Sequence, residues 1–205
     1  MSENVIILAT KRERVGKGSS RLARREKMVP ASLYGGKEEA MSILVKPNDI
    51  IPLLHKSSVF STIFKVEIDG KQNDALIRNV QIHPVTDLPI HVDFLRVAKD
   101  TLTRMEIPLV FINQEKSMGI KLGGVLNVVQ HYVEVQCNPA DAPKNFEIDL
   151  ATAGADFVLK IEDIKLPANS KTFYPKGFAF ASIASVTEEK ETKETSETTS
   201  TDKKE

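Results

Sequence analysis

The chain has 205 residues, 41% of them apolar and 27% charged, and its 28 Lys+Arg balance 28 Asp+Glu to a formal net charge of zero. The longest unbroken apolar run, residues 5–9, falls far short of the roughly 20 residues a membrane-crossing helix requires, and no charged segment followed by an apolar one opens the chain as a secretory signal does. A single cysteine, Cys137, excludes an internal disulfide and a cysteine-rich zinc site, so a soluble, intracellular chain of one or two domains is expected.

Residues 5–9 read as a first strand. Gly16-Lys17-Gly18 forms a flexible loop, after which Ser19 or Ser20 is placed to cap a short helix running to Arg25 or Lys27. Pro30 stops that helix, and residues 31–34 enter a strand that ends before Gly35-Gly36. Residues 42–45 make another strand. Asn48 is placed to cap a second helix over 49–56, with Pro52 in its first turn. Residues 62–68 alternate, with Phe64, Val66 and Ile68 on one face, and Asp69-Gly70 signals a turn into a returning strand at 75–82. A proline-bounded loop over 83–89 and a strand at 90–97 complete the set. Six strands with two small helices predict an antiparallel β-barrel, closed or nearly so, in residues 1–97. Period-two texture returns at 105–112, 125–137, 146–150 and 178–186 with few helix signals, predicting a second β-rich domain over 98–187, joined through 98–101. Nothing apolar follows Val186, so 188–205 are expected to be a disordered acidic tail. The fold class expected is mainly β with short helices, α+β.

The neutral total conceals an uneven distribution. Residues 1–97 carry a net charge of +4, residues 98–187 of −1 and residues 188–205 of −3. Within the first segment, Lys11, Arg12, Arg14, Lys17, Arg21, Arg24, Arg25 and Lys27 face only Glu13 and Glu26, a net +6 over 17 residues. Such a local basic patch neutralises phosphates, although most charge runs are simply solvated faces.

Two constellations carry candidate chemistry. In RVGKGSSRLARRE, Lys17 is followed by Gly18 and the upstream glycine of a nucleotide-binding P-loop is missing, so that reading fails. What remains is a glycine-rich loop feeding a helix on which Arg21, Arg24 and Arg25 share a face, with Leu22 and Ala23 available to pack inward. Arginine suits phosphate because its planar fork binds oxygens bidentately, and the backbone N–H groups at the helix start add anion affinity. In QIHPVTDLPIHVDF, Ile90, Val92 and Phe94 point one way and His91 and Asp93 the other. His83, His91 and Asp93 lack a fourth metal ligand and a metal-binding spacing, so no metal and no cofactor are expected. Cys137 lies in the other predicted domain and reads as a buried structural residue. Asp93 either holds the imidazole in one tautomer or reads base edges, to which a carboxylate is an acceptor although phosphate repels it. Tyr34, at a strand end, adds a ring and a hydroxyl suited to a sugar.

GKGSSRLARREKMVPASLYGG, followed by VQIHPVTDLPIHVDFLRV, resembles the family of bacterial large-subunit ribosomal protein twenty-five, and the added β-rich segment and acidic tail resemble its long form, the general stress protein Ctc type. The resemblance implies a non-enzymatic β-barrel protein that binds 5S ribosomal RNA at an internal loop of non-canonical pairs, in the central protuberance of the large ribosomal subunit. It implies a cytoplasmic, ribosome-associated place among neighbouring rRNA and ribosomal proteins, with no membrane and no small-molecule substrate. Carried onto matching positions, Arg12, Lys17, Arg21, Arg24, Tyr34, His83, His91 and Asp93 become the RNA contacts. The sequence departs from the family pattern at Ala23, where leucine is usual, and at Ile82, where a basic residue often stands. Two other classes remain open to the sequence: a small phosphodiester hydrolase using His91 and Asp93, and a stress-linked protein that binds assorted RNA while 98–187 recruit a partner.

Overall fold

The computed structural model describes residues 5–36, 38–98, 101–139, 141–155, 157–167 and 170–184. Its first strands are β1 (Ile6–Lys11), β2 (Val29–Tyr34), β3 (Met41–Val45), β4 (Ile63–Ile68), β5 (Lys71–Ile82) and β6 (Pro89–Arg96), which close into a barrel in the order β1-β3-β2-β6-β5-β4. The alternation read from the sequence is what fills it: Ala31, Leu33, Phe64, Val66, Val92 and Phe94 turn inward and are buried. Asp69 and Gly70, both at positive φ (48° and 79°), make the primed turn whose twist suits a two-residue β4–β5 hairpin.

Four of the six pairings are antiparallel, but β1/β4 and β2/β6 run parallel, which corrects the expected all-antiparallel barrel. Parallel neighbours cannot be joined by a tight hairpin and need a crossover. Here α1 (Lys17–Arg25), β2, β3 and α2 (Pro47–Leu54) intervene between β1 and β4. Local alternation marks strands but not the order in which distant ones meet.

Both helices start earlier than the sequence suggests. The N-cap of α1 is Gly16, without a side-chain capping bond; Ser19 Oγ and Ser20 Oγ instead donate to the carbonyls of Arg14 (2.8 Å) and Gly16 (3.0 Å). Only Ala23 of α1 is buried, and Leu22 is 56% exposed rather than turned inward. α2 begins at Pro47, so Pro52 falls in its interior and not in its first turn. Its Ile50 and Leu53, with Val59 from the 3₁₀ turn Ser57–Phe60, join the barrel core.

The remaining elements are β7 (Thr103–Ile112), α3 (Met118–Lys121), β8 (Val125–Val128), β9 (Tyr132–Cys137), β10 (Phe146–Asp149), β11 (Val158–Lys160), β12 (Lys171–Thr172) and β13 (Ala179–Ala184). They form two sheets, ordered β10-β7-β9-β12 and β11-β13-β8. The single strand expected over 125–137 is thus two, broken between Val128 and Tyr132 and divided between sheets; β11 and β12 are too short to leave a periodic signal. Met105, Ile107, Val133, Val135, Cys137 and Phe180 build this second core, where Tyr174, Phe178 and Phe180 have ring centroids 4.9 to 5.0 Å apart. Leu76 of β5 points away from the barrel interior and is buried among these residues. The expected linker at 98–101 and tail at 188–205 fall wholly or partly outside the described residues.

Candidate nucleic-acid interface

Since Ala31 and Leu33 face the core, Ser32 and Tyr34 stand on the outside of β2; Val92 and Phe94 put His91 and Asp93 outside on β6 in the same way. The parallel β2/β6 register, Ser32 opposite Asp93, brings these four polar residues onto one face. His91 Nδ1 lies 3.1 Å from Asp93 Oδ1 and its Nε2 is 3.4 Å from Ser32 Oγ, with the His and Asp side chains 26% and 25% exposed. With Nδ1–H donating to the carboxylate, a neutral ring keeps Nε2 as acceptor for the serine hydroxyl. Burial raises the pKa of Tyr34 above its ordinary value, the Asp93 charge raises it further, and Arg78 opposes them. Tyr34 is therefore a phenol at neutral pH, with a proton to donate.

The β5/β6 register adds Asn79 opposite Asp93 and Gln81 opposite His91, both exposed. Sequence reasoning misses them because β5 carries a bulge between Ile77 and Asn79 that breaks its alternation. Their one signal is local: Asn79 and Gln81 are polar residues two apart, separated by Val80.

The basic segment divides into free and engaged cations. Lys17 and Arg21 are exposed on α1. Arg12 instead folds back, donating from Nε to the Arg14 carbonyl (2.6 Å) and from Nη2 to Ser20 Oγ (3.0 Å) and the Gly16 carbonyl (3.5 Å), which braces the loop onto the helix start. Arg24 Nε donates to the Ile90 carbonyl at 3.2 Å and so fastens α1 beside the strand bearing His91. His83 stands in the β5–β6 loop, where its Nδ1 accepts from the backbone N–H groups of Val85 (3.2 Å) and Thr86 (3.3 Å). That use of Nδ1 places the proton of a neutral ring on Nε2 and makes His83 a loop organiser.

At the rim, Gly35 ends β2 at φ 96°, and a Cβ there would meet Leu95 Cδ1 at 2.7 Å. The close approach lets Arg96 reach across: its Nη1 donates to the carbonyls of Gly35 (3.4 Å) and Glu39 (3.0 Å), and its Nε lies 3.4 Å from Glu38 Oε2. Among the described residues, no three His, Cys, Asp or Glu side chains gather to hold a metal ion. Cys137 is buried in the second core, where burial first and Asp141 second raise its pKa, as suits an unreactive thiol.

A face of hydrogen-bonding side chains flanked by exposed cations has the chemistry to meet a polyanion bearing donors and acceptors. Residues 7–94 match the Ribosomal L25p family and residues 103–189 the family described as Ribosomal protein TL5, C-terminal domain. The chain is 42% identical to the large ribosomal subunit protein bL25 of Paramagnetospirillum magneticum over 187 residues, covering 90% of this chain and 92% of that protein. It is 43% identical to the protein of that name from Mesorhizobium japonicum, over 86% of this chain and 83% of the other. For Gluconobacter oxydans the identity is 46% over 152 residues, 74% of this chain and 70% of its relative. Two consecutive family matches and relatives of this identity along most of their length make the chain a member of the bL25 family of large-ribosomal-subunit proteins, a structural and non-enzymatic family.

Proposed function

We propose that this chain is a ribosome-associated protein that binds 5S ribosomal RNA at an internal loop of non-canonical pairs in the central protuberance of the large subunit. The observation that carries the reading is the convergence of Ser32, Tyr34, His91 and Asp93 on one outer face of the barrel, with α1 tethered beside it by Arg24. A-form RNA hides its major groove from side chains and displays sugar hydroxyls and base edges in a shallow minor groove. Exposed Lys17 and Arg21 neutralise phosphates flanking that groove, while Tyr34, His91 and Asp93 meet sugars and base edges. Arg12, Arg24 and His83 act by holding the loop, the helix and the β5–β6 turn in place, each having intramolecular partners. Residues 1–97 serve as the RNA-binding domain and 98–187 as a second domain of the long form.

Family membership displaces the phosphodiesterase reading, since the relatives are ribosomal proteins. Sedimentation through a sucrose gradient, combined with binding to a synthetic 5S RNA, tests the proposal. Cosedimentation with large subunits and preference for the 5S RNA over an unrelated duplex are expected. A free or scattered distribution without that preference would instead favour a general RNA-binding protein.

A further inference from the structure

The recognition face is physically joined to the C-terminal sheet. In β5, Ile77 pairs with Phe94 and Asn79 with Asp93, so Arg78 is the extra residue of the bulge. Two residues after Leu76, Arg78 leaves β5 on the same outward side, toward the second core. Arg78 Nη1 donates to the Arg104 carbonyl at 3.2 Å and lies 3.9 Å from Glu106 Oε1, both on β7. The same guanidinium stands near enough to Tyr34 for its charge to favour the phenolate.

Glu106 needs a cation for a reason internal to its own sheet. It sits directly across from Glu134 in the β7/β9 ladder, and like charges so placed repel. Arg104 pairs with Glu134 and lies over the Phe173 ring, 4.4 Å from its centroid, leaving Glu106 to Arg78. A chain of charges therefore runs from the recognition face into the second sheet through Arg78, Glu106, Glu134 and Arg104. A tethered guanidinium presents its planar fork in one orientation, whereas a free one samples many rotamers.

We propose that Glu106 is a positioning residue for RNA selectivity: with the Arg104 carbonyl it fixes the Arg78 guanidinium at the Tyr34 edge of the barrel face, so the C-terminal sheet tunes what the barrel selects without touching RNA. The inference rests on the RNA-binding reading of that face. Its test uses the full chain as wild type, Glu106→Gln, Arg78→Gln and the double variant, with two readouts. One is the ratio of affinities for a hairpin carrying the 5S internal loop and for a Watson–Crick duplex of equal length. The other is the titration of Tyr34, followed by NMR of ring-labelled tyrosine, of which the chain has 3.

Glu106→Gln is expected to lower the affinity ratio roughly fivefold and to move the Tyr34 titration to higher pH, because the cation favouring the phenolate is released. Arg78→Gln does the same, and the double variant goes no further than Arg78→Gln. Circular dichroism and a thermal midpoint matching wild type verify that the substituted sheet is folded in Glu106→Gln. A ratio and a Tyr34 titration unchanged in Glu106→Gln, with wild-type preference intact, overturn the positioning role and spare the RNA reading. A wild type that binds both RNAs equally overturns the RNA reading itself, and the selectivity role with it.

Discussion

Arg24 Nε donates to the Ile90 carbonyl at 3.2 Å, so the basic helix and the strand carrying His91 and Asp93 are held as one unit. Arg21, three residues earlier on α1 and exposed, is a cation of the other kind, facing solvent. Arg24→Ala is expected to remove about 1 kcal/mol of stability, the net worth of an intramolecular hydrogen bond. In a chain of this size that is a thermal midpoint lower by about 2–4 °C. Arg21→Ala leaves the midpoint in place and weakens binding to every RNA tested. Matching midpoint losses for the two variants would contradict the division.

Asp93 touches His91 and faces outward beside Ser32, so its carboxylate orients the imidazole and, in the proposed function, accepts from a base. Asp93→Ala is expected to narrow the preference for the 5S loop over an unrelated duplex by about 1–3 kcal/mol, the discrimination of a good base contact. Absolute affinity for the unrelated duplex changes little. Because the two residues act through one hydrogen bond, the double variant with His91→Ala loses less than the sum of the single variants. Equal losses on both RNAs for Asp93→Ala would argue against base readout.

The salt dependence follows from which cations are free. Arg12 and Arg24 are engaged intramolecularly, leaving Lys11, Arg14, Lys17, Arg21, Arg25 and Lys27 as exposed cations of the basic segment. If these six meet phosphates, log affinity falls against log salt with a slope of roughly −4 to −5. Removing Lys17 or Arg21 reduces that slope by about 1. A slope near zero would mean that the basic segment faces away from the RNA.

Leu76 couples the two cores, being carried by barrel strand β5 yet buried in the second cluster. Leu76→Ala is expected to cost about 2–5 kcal/mol, as large-to-small changes at buried sites do. Hydrogen exchange would show the loss first in amides of β7 and β9, with β2 and β3, barrel strands that do not pair with β5, still protected. Loss confined to the barrel would contradict the assignment of Leu76 to the second core.

Alternation of Phe64, Val66 and Ile68, and of Val92 and Phe94 against His91 and Asp93, makes the barrel strands and the outward polar pair legible in the amino-acid order alone. Period-two patterning is a local property and survives in any sheet that buries one face. Pairing partners are not local, which is why the parallel β1/β4 and β2/β6 contacts leave no trace in the sequence and why Ser32 gives no sign that it meets His91. Charge density marks Arg12 and Arg24 as cations, but only the fold shows them hydrogen-bonded to the Ser20 hydroxyl and the Ile90 carbonyl. Arg78 is hidden for a third reason: its partners, the Arg104 carbonyl and Glu106, stand on β7, and nothing local in the sequence signals that contact.

Asp149 provides a pH test of the second half of the chain. Its Oδ1 accepts from the Ala151 N–H and from the Asn113 side-chain amide, both at 2.9 Å, at the end of the β7/β10 pairing. The Ala151 bond lowers its pKa most, followed by the Asn113 bond. A carboxyl whose pKa is lowered in the folded state binds a proton more readily when unfolded, so it adds stability that rises with pH through that window. The contribution is complete above the unfolded value of about 3.9 and fades as pH falls through the lower folded value. Asp149→Asn removes the titrating group, so its thermal midpoint should fall less steeply than that of the wild type as pH is lowered from neutral to about 3. Acid limbs of equal steepness in the two proteins would show that the Asp149 hydrogen bonds do not persist in solution.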